Sequence, residues 1–244
     1  MTASDDWFIP LADPASALAH LYALPQAGAG CTAFAGCADL VAPDLALWGL
    51  NLPGRQARLA EPPCTALPLL LDQMASVVGE RGPWFLFGYC SGALLAFLLA
   101  RLLRAAGRNG PARLLVASYP APDLARPPAG MHELPPGEFW KEIMSYGGVP
   151  ASVAAQPDFR EIFEPALRAD YQLLAGYEYV DEAPLDVPVT VVVGDKDPVL
   201  RPEDINGWSR HTTGPVRFRS VPGGHWLLDD ALADVAGALR EATR

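Results

Sequence analysis

The stretch PWFLFGYCSGALLAFLLARLL, residues 83–103, constrains this chain more than any other. Continuous apolar, β-leaning sequence runs without a linker into a helix-period segment, and the junction reads Gly88-Tyr89-Cys90-Ser91-Gly92. A strand that is apolar at every position is buried on both faces, which belongs to a parallel sheet covered by helices. A strand that enters a helix within one turn needs small residues where the two elements cross. Gly88 and Gly92 stand at those places, so residue 90 is expected on a sharp turn with its side chain exposed at the carboxyl edge of the sheet.

The rest of the chain repeats the same alternation. Strand-like runs bounded by Pro or Gly fall at 20–25, 45–53, 112–120, 187–195 and 216–224, and helix-period segments at 65–81, 91–107, 201–212 and 227–243. This pattern predicts an α/β fold: one domain over residues 1–244 with a mostly parallel, doubly wound sheet. Residues 126–180 break the rhythm, with helix patterns and no convincing strand. They are expected to form a helical lid insertion over the carboxyl edge, where a lid would sequester reacting groups.

Composition removes several classes of function. Half of the residues are hydrophobic, enough for a large core. A net charge of -10 argues against sequence-independent nucleic-acid binding and against an anionic membrane surface as the main partner. The longest apolar run, GALLAFLLARLL, carries Arg101 and is too short to span a bilayer. The opening MTASDDWFIP is acidic and has no signal-peptide pattern, so a cytoplasmic location is expected. The four cysteines, Cys31, Cys37, Cys64 and Cys90, lack metal-ligand spacing. They are expected to be reduced thiols, with no structural zinc and no bound metal.

Cys90 occupies the reacting position of the elbow, where a G-x-S-x-G motif would carry serine. Ser91 opens the following helix, and its backbone N–H is a candidate oxyanion donor. A cysteine at a helix N-terminus feels the positive end of the helix dipole, which favours thiolate. Two later segments supply partners. TVVVGDKDPVL places Asp195 and Asp197 after a strand, and VPGGHWLLDD places His225 on a glycine-rich loop after the next. The chain order Cys90, Asp, His225 is that of an α/β-hydrolase triad. Asp197 is preferred as the acid because it lies deeper in the turn after Gly194 and Pro198 fixes the chain beyond it; Asp195 remains the alternative. His225 would accept the Cys90 proton, and the aspartate would hold the imidazole in its tautomer. The small residues of ALPQAGAGCTAF let backbone N–H groups face a ligand, which nominates Ala27 as the second oxyanion donor beside Ser91. His20, His132 and His211, and the other three cysteines, are expected to be structural or exposed.

These residues together resemble the stand-alone, type II thioesterases that serve nonribosomal peptide and polyketide synthases, within the α/β-hydrolases. The likeness covers nearly the whole chain: LPQAGAGCTAF, LNLPGRQARLAEPP, FGYCSGALLAFLLARLL, FEPALRADYQLLAGYEY, GDKDPVL and PGGHWLL each match a family segment in order. The resemblance implies an acyl or aminoacyl thioester substrate, carried on the 4'-phosphopantetheine arm of a carrier protein, and no cofactor of the enzyme's own. It also points to secondary-metabolite (antibiotic) biosynthesis; a monomer is expected, with the resemblance leaving oligomeric state open. Two positions depart from the family pattern. Tyr89-Cys90 stands where His-Ser is usual, and Gln26 stands where the oxyanion loop usually has histidine.

The thiol changes the expected chemistry. A serine would convert the thioester to an oxoester, a downhill step. Cys90 exchanges thioester for thioester, nearly balanced and reversible, and leaves a group more reactive to thiols and amines. Because the departure is a single position, hydrolysis through a Cys90 S-acyl enzyme is still expected first, with acyl transfer between carriers or to an amine, or cyclising release, as the alternative. Since carrier proteins of this kind are acidic and this chain is too, docking calls for a local basic or apolar patch. Arg55, Arg58 and Arg126 are the candidates for it, and Phe139, Trp140, Met144 and Tyr171 are candidates to line the acyl pocket.

Overall fold

The computed structural model describes residues 7–79, 83–149 and 154–243. Its strands are β1 (Phe8–Ala12), β2 (Ala19–Leu24), β3 (Leu45–Leu50), β4 (Trp84–Tyr89), β5 (Leu114–Ala117), β6 (Val189–Gly194) and β7 (Val216–Val221). Among the described residues they form one sheet in the order β1-β3-β2-β4-β5-β6-β7. Only β1 runs antiparallel to its neighbour; the other pairings are parallel. The chain winds outward from β4 in both directions, the doubly wound α/β arrangement expected from the alternation.

The helices are α1 (Ala35–Val41), α2 (Leu67–Ala75), α3 (Ser91–Ala105), α4 (Pro136–Ser145), α5 (Pro157–Ala175), α6 (Pro202–Asn206), α7 (Leu227–Asp230) and α8 (Leu232–Ala242). The continuous apolar character of β4 follows from how its side chains alternate. Trp84 and Leu86 join a core with Leu70 and Met74 of α2 and Leu99 and Leu103 of α3. Phe85, Phe87 and Tyr89 join a second core with Cys37 of α1 and Val235 and Leu239 of α8. Each face of the strand is covered by its own helical layer.

The structure also departs from the sequence reading. Strand β1 was not anticipated, because Pro10 interrupts a short run; proline is tolerated there since β1 is an edge strand and the register slips between Pro10 and Ala12. Helix α1, three residues of which are Ala or Gly, was also missed. The segment 201–212 is α6 followed by a 3₁₀ turn, Gly207–Arg210, and the segment 227–243 breaks at Ala231 (φ -141°, ψ 37°). Helix α2 is shorter than the expected 65–81, whose last two residues lie outside the described ones.

Between β5 and β6 the described residues contain α4, α5 and a 3₁₀ turn, Met131–Glu133, and no strand. Met131, Phe139, Trp140, Ile143 and Leu167 form a third apolar cluster, separate from the two sheet cores.

Candidate active site

The elbow is built by backbone proximity. A Cβ on Gly88 would lie 2.3 Å from the Gly92 carbonyl oxygen, and one on Gly92 would lie 2.1 Å from that of Leu24. Only glycine lets β4, β2 and α3 approach so closely. Cys90 between them holds φ 50°, ψ -125°, a region L-residues seldom adopt. Its N–H donates to Ala117 O at 2.8 Å, and its carbonyl accepts from Ala93 N–H at 2.8 Å, so the turn is pinned on both sides. Ser91 is the first residue of α3, as expected.

Asp197 and His225 meet across the carboxyl ends of β6 and β7. The His225 Nδ1 lies 2.9 Å from Asp197 Oδ2. The other carboxylate oxygen, Oδ1, accepts from the N–H groups of Val199 at 2.8 Å and Leu200 at 3.4 Å. The Asp197 side chain is 1% exposed and that of His225 14%. Burial would raise the Asp197 carboxyl, but the His225 hydrogen bond and these two amides hold it below its ordinary value. Burial by itself would lower the His225 pKa. The Asp197 carboxylate and the Cys90 sulfur, both hydrogen-bond partners of the ring, outweigh it and push the imidazole up to about 10. Asp195 does something else: its Oδ1 accepts from Gly223 N–H at 3.0 Å, tying the two loops together from the solvent side. The structure therefore brings Cys90, His225 and Asp197 together and leaves Asp195 outside.

Two residues in this assembly were missed by the sequence reading as contributors. Tyr89 Oη and Ser118 Oγ each donate to the His225 carbonyl at 3.0 Å. Both are buried, and Ser118, just beyond β5, has φ 51°. The ends of two central strands thus brace the histidine loop. The available signal was the polar oxygen on each, at the end of an otherwise apolar run.

The loop carrying Ala27 is held from below. Arg55 reaches Asp170 of α5 with both terminal nitrogens, at 2.6 and 2.7 Å. The same Asp170 accepts from Gly28 N–H at 2.7 Å, and Arg55 donates to Ala29 O at 2.9 Å. Arg55 is 4% exposed, which corrects its candidacy as a surface docking residue: it is an internal clamp. Asp170 was not anticipated at all, since a lone carboxylate on a helix reads as solvated. Arg58 pairs with Glu61 and lies 4.4 Å over the Trp7 ring. Of the three arginines, Arg126 alone lines the cavity that contains Cys90.

That cavity measures about 290 Å³ and also takes in Ala27, Ser91, Tyr171, His225 and Trp226. A second, of about 340 Å³, continues from it under α4 and α5; Ala27, Tyr146, Tyr171 and Trp226 border both. Trp140 and Tyr171 line the second cavity as expected, whereas Phe139 is wholly buried in the cluster behind it and Met144 points partly outward. Burial, and next the nearby Cys90 sulfur, push the Tyr119 and Tyr171 hydroxyls well above their ordinary value, so both stay protonated donors.

The remaining candidates are structural. His211 is buried 2.7 Å from Asp123, and His132 lies beside Glu133. All four cysteines are free, and burial pushes Cys37 up to about 11. Among the described residues, no group of three or more His, Cys, Asp or Glu is placed to hold a metal ion, and no helix is long and apolar enough to cross a membrane.

Comparison with known proteins agrees with this geometry. Residues 19–242 match the thioesterase domain family model. The chain is 29% identical to the gramicidin S biosynthesis protein GrsT of Aneurinibacillus migulanus, over 91% of this chain and 88% of that protein. It is 31% identical to the thioesterase PikA5 of Streptomyces venezuelae, over 91% and 80%. Among solved structures it superposes on the type II thioesterase BorB from the borrelidin biosynthetic cluster with a TM-score of 0.87, 32% identity and full coverage of both chains. An elbow between two obligatory glycines, the acid and histidine that meet beside it, and an ordered match over most of its length place this chain in the thioesterase family of the α/β-hydrolase fold.

Proposed function

We propose that this thioesterase is of type II. It releases acyl or aminoacyl groups from the 4'-phosphopantetheine arms of carrier-protein domains in nonribosomal peptide or polyketide biosynthesis, through a Cys90 S-acyl enzyme. The observation that carries the reading is the Cys90 sulfur on its strained turn and the His225 ring paired with Asp197, with Cys90 and His225 bordering one cavity.

The steps follow from that arrangement. Cys90 attacks the thioester carbonyl as thiolate, and the developing oxyanion is met by the Ser91 and Ala27 N–H groups. The intermediate collapses, the C–S bond to pantetheine breaks, and the His225 imidazolium gives its proton to the leaving sulfur. His225 is then neutral and takes a proton from water as that water attacks the acyl-enzyme. The second intermediate expels Cys90 as thiolate, restores the imidazolium and frees the acid. The segment 126–180 serves as a lid over these events. Arg126, at the cavity wall, would face the incoming arm.

The Cys90 thiol supports a second reading, in which the thiol of another carrier, or an amine, takes the place of water. Mass spectrometry of an acyl-loaded carrier protein, incubated with the enzyme with and without a second empty carrier, separates the two. Free acid and no label on the second carrier supports hydrolysis; a loaded second carrier supports transfer. Cys90→Ala should lower turnover at least about thousandfold, since only binding and the oxyanion donors would remain. Undiminished turnover by that variant would end the mechanism.

A further inference from the structure

The loop that carries the Ala27 N–H has no polar side chain with which to hold itself, for residues 27–30 are Ala-Gly-Ala-Gly. Its direction is set peptide by peptide. The Gln26 carbonyl accepts from Ala29 N–H at 3.1 Å and Gly28 takes φ 79°, so residues 26–29 close a turn with glycine at its left-handed position. A planar, trans peptide points the Ala27 N–H opposite to the Gln26 carbonyl, out of that turn. The next two anchors come from far along the chain. Gly28 N–H donates to Asp170 Oδ2 at 2.7 Å, and the Ala29 carbonyl accepts from Arg55 at 2.9 Å. Arg55 and Asp170 hold each other at 2.6 and 2.7 Å, and both are buried. Arg55 also donates to Ala166 O at 3.4 Å, one turn before Asp170 on α5. Helix α5 presses on the loop as well, since a Cβ on Gly28 would lie 2.6 Å from Leu167 Cδ1.

We infer that Asp170, held by Arg55, is a positioning residue for thioester cleavage: its bond to Gly28 N–H fixes the tilt of the loop and so aims the Ala27 N–H at the oxyanion, which ties that donor to the seating of α5. This rests on the thioesterase reading above, with Ala27 as a donor, and adds the carboxylate that sets the donor's aim. Ala27 borders the cavity that holds Cys90, whereas Asp170 lines neither cavity. An oxyanion donor acts within about 2.7–3.1 Å of the oxygen. A displacement of about 1 Å costs about a hundredfold in rate. The ion pair is a matter of stability and the Gly28 bond a matter of aim, so substitution can separate them.

Two double variants do so. Arg55→Met/Asp170→Leu removes the ions and the acceptor together, and its apolar pair keeps the bulk. Arg55→Met/Asp170→Asn removes the charges but leaves an amide oxygen for Gly28 N–H. With hexanoyl-pantetheine as substrate, the first should lose about a hundredfold in kcat with KM within about threefold of the parent, the pattern of a contact made only in the transition state. The second should retain at least about tenfold more kcat than the first, the worth of one hydrogen bond. Hexanal gives another readout. The Cys90 sulfur bonds to its carbonyl carbon, the C=O electron pair moves onto oxygen, and that oxyanion lies where the Ala27 N–H points. Its inhibition constant should rise in the first variant by about the factor lost from kcat. A folded first variant with kcat within about threefold of the parent, or a second variant no faster than the first, would overturn the inference and leave the thioesterase reading standing. If the parent cleaves neither hexanoyl- nor alanyl-pantetheine, both fall together. Should either variant fail to fold, deuterium exchange at the Gly28 amide of the unaltered enzyme decides. Exchange at least about a hundredfold slower than that of a free amide supports the clamp, and exchange at the free rate overturns it.

Discussion

The elbow and the roof of the second cavity are built side by side by opposite means. The elbow is a backbone construction: β2, β4 and α3 touch main chain to main chain through Gly88 and Gly92, with no room for one carbon atom. The roof is a side-chain construction. Helix α5 is held to the Ala27 loop through Asp170, which accepts from Gly28 N–H and pairs with the buried Arg55, and it carries aromatic rings such as the stacked Phe159 and Phe163, 4.1 Å apart. Backbone contacts fix a position rigidly and allow no substitution. Side-chain contacts fix it less tightly and can be altered one residue at a time. A hydrolytic fold that keeps its reacting turn while changing its substrate needs both kinds.

If this contrast is right, the largest effect should come from the smallest change. Gly92→Ala places a carbon against the Leu24 carbonyl in the rigid strand crossing. It should cost more than about 4 kcal/mol, seen as loss of soluble folded protein or of the cooperative thermal transition. Normal stability for this variant would break the comparison at its base.

Asp197→Asn comes next and probes the charge that completes the elbow. It should lower kcat about a thousandfold or more while the fold survives, because the imidazole loses its tautomer and its proton-holding partner. The sign of the pH effect is fixed by the raised His225 value of about 10 against an ordinary 6.5. A protonated histidine stabilises the folded state fully below pH 6.5, and that contribution fades as pH climbs towards 10. In Asp197→Asn the window narrows from the alkaline side. The His225 ring proton, followed by NMR, should then titrate at lower pH than in the parent. An unmoved titration would show that Asp197 is not what holds the charge.

Arg55→Ala tests the roof. It strands the Asp170 carboxylate in a buried site and should destabilise by about 3–5 kcal/mol in urea unfolding. Arg55→Met with Asp170→Leu should recover most of that loss, because an apolar pair of similar bulk replaces the ions. Such recovery sharpens the contrast, for no second change can rescue Gly92→Ala. The smallest effect should belong to Tyr89→Phe, which removes one of two hydroxyls on the His225 carbonyl. About 1 kcal/mol of stability and a modest fall in kcat, with KM unchanged, are expected. A large loss would mean that Ser118 does not share the brace.

The elbow, the acid and the histidine were legible in the chain because each carries a local signature. Glycines two residues either side of a polar residue between strand and helix, an aspartate after Gly194, and a histidine after two glycines all depend on neighbours in sequence. Asp170 carried no such mark. Asp170 lies 115 residues from Arg55, so the pair exists only after α5 has crossed the sheet's edge. Arg55 read as a surface cation for the same reason. Strand β1 was hidden by Pro10, whose tolerance depends on where the strand lies in the sheet, which no local pattern reports.

The amino-acid order by itself determined the alternation of strands and helices, the sharp turn at Cys90 and the chain order of the three reacting groups. Each follows from steric and hydrophobic rules that act over a few residues. Tertiary structure alone decided which arginine was buried, which hydroxyls brace the His225 loop, and which side chains line the second cavity. Those outcomes depend on distances between segments far apart in the chain, and such distances are set only when the sheet and its helices close on one another.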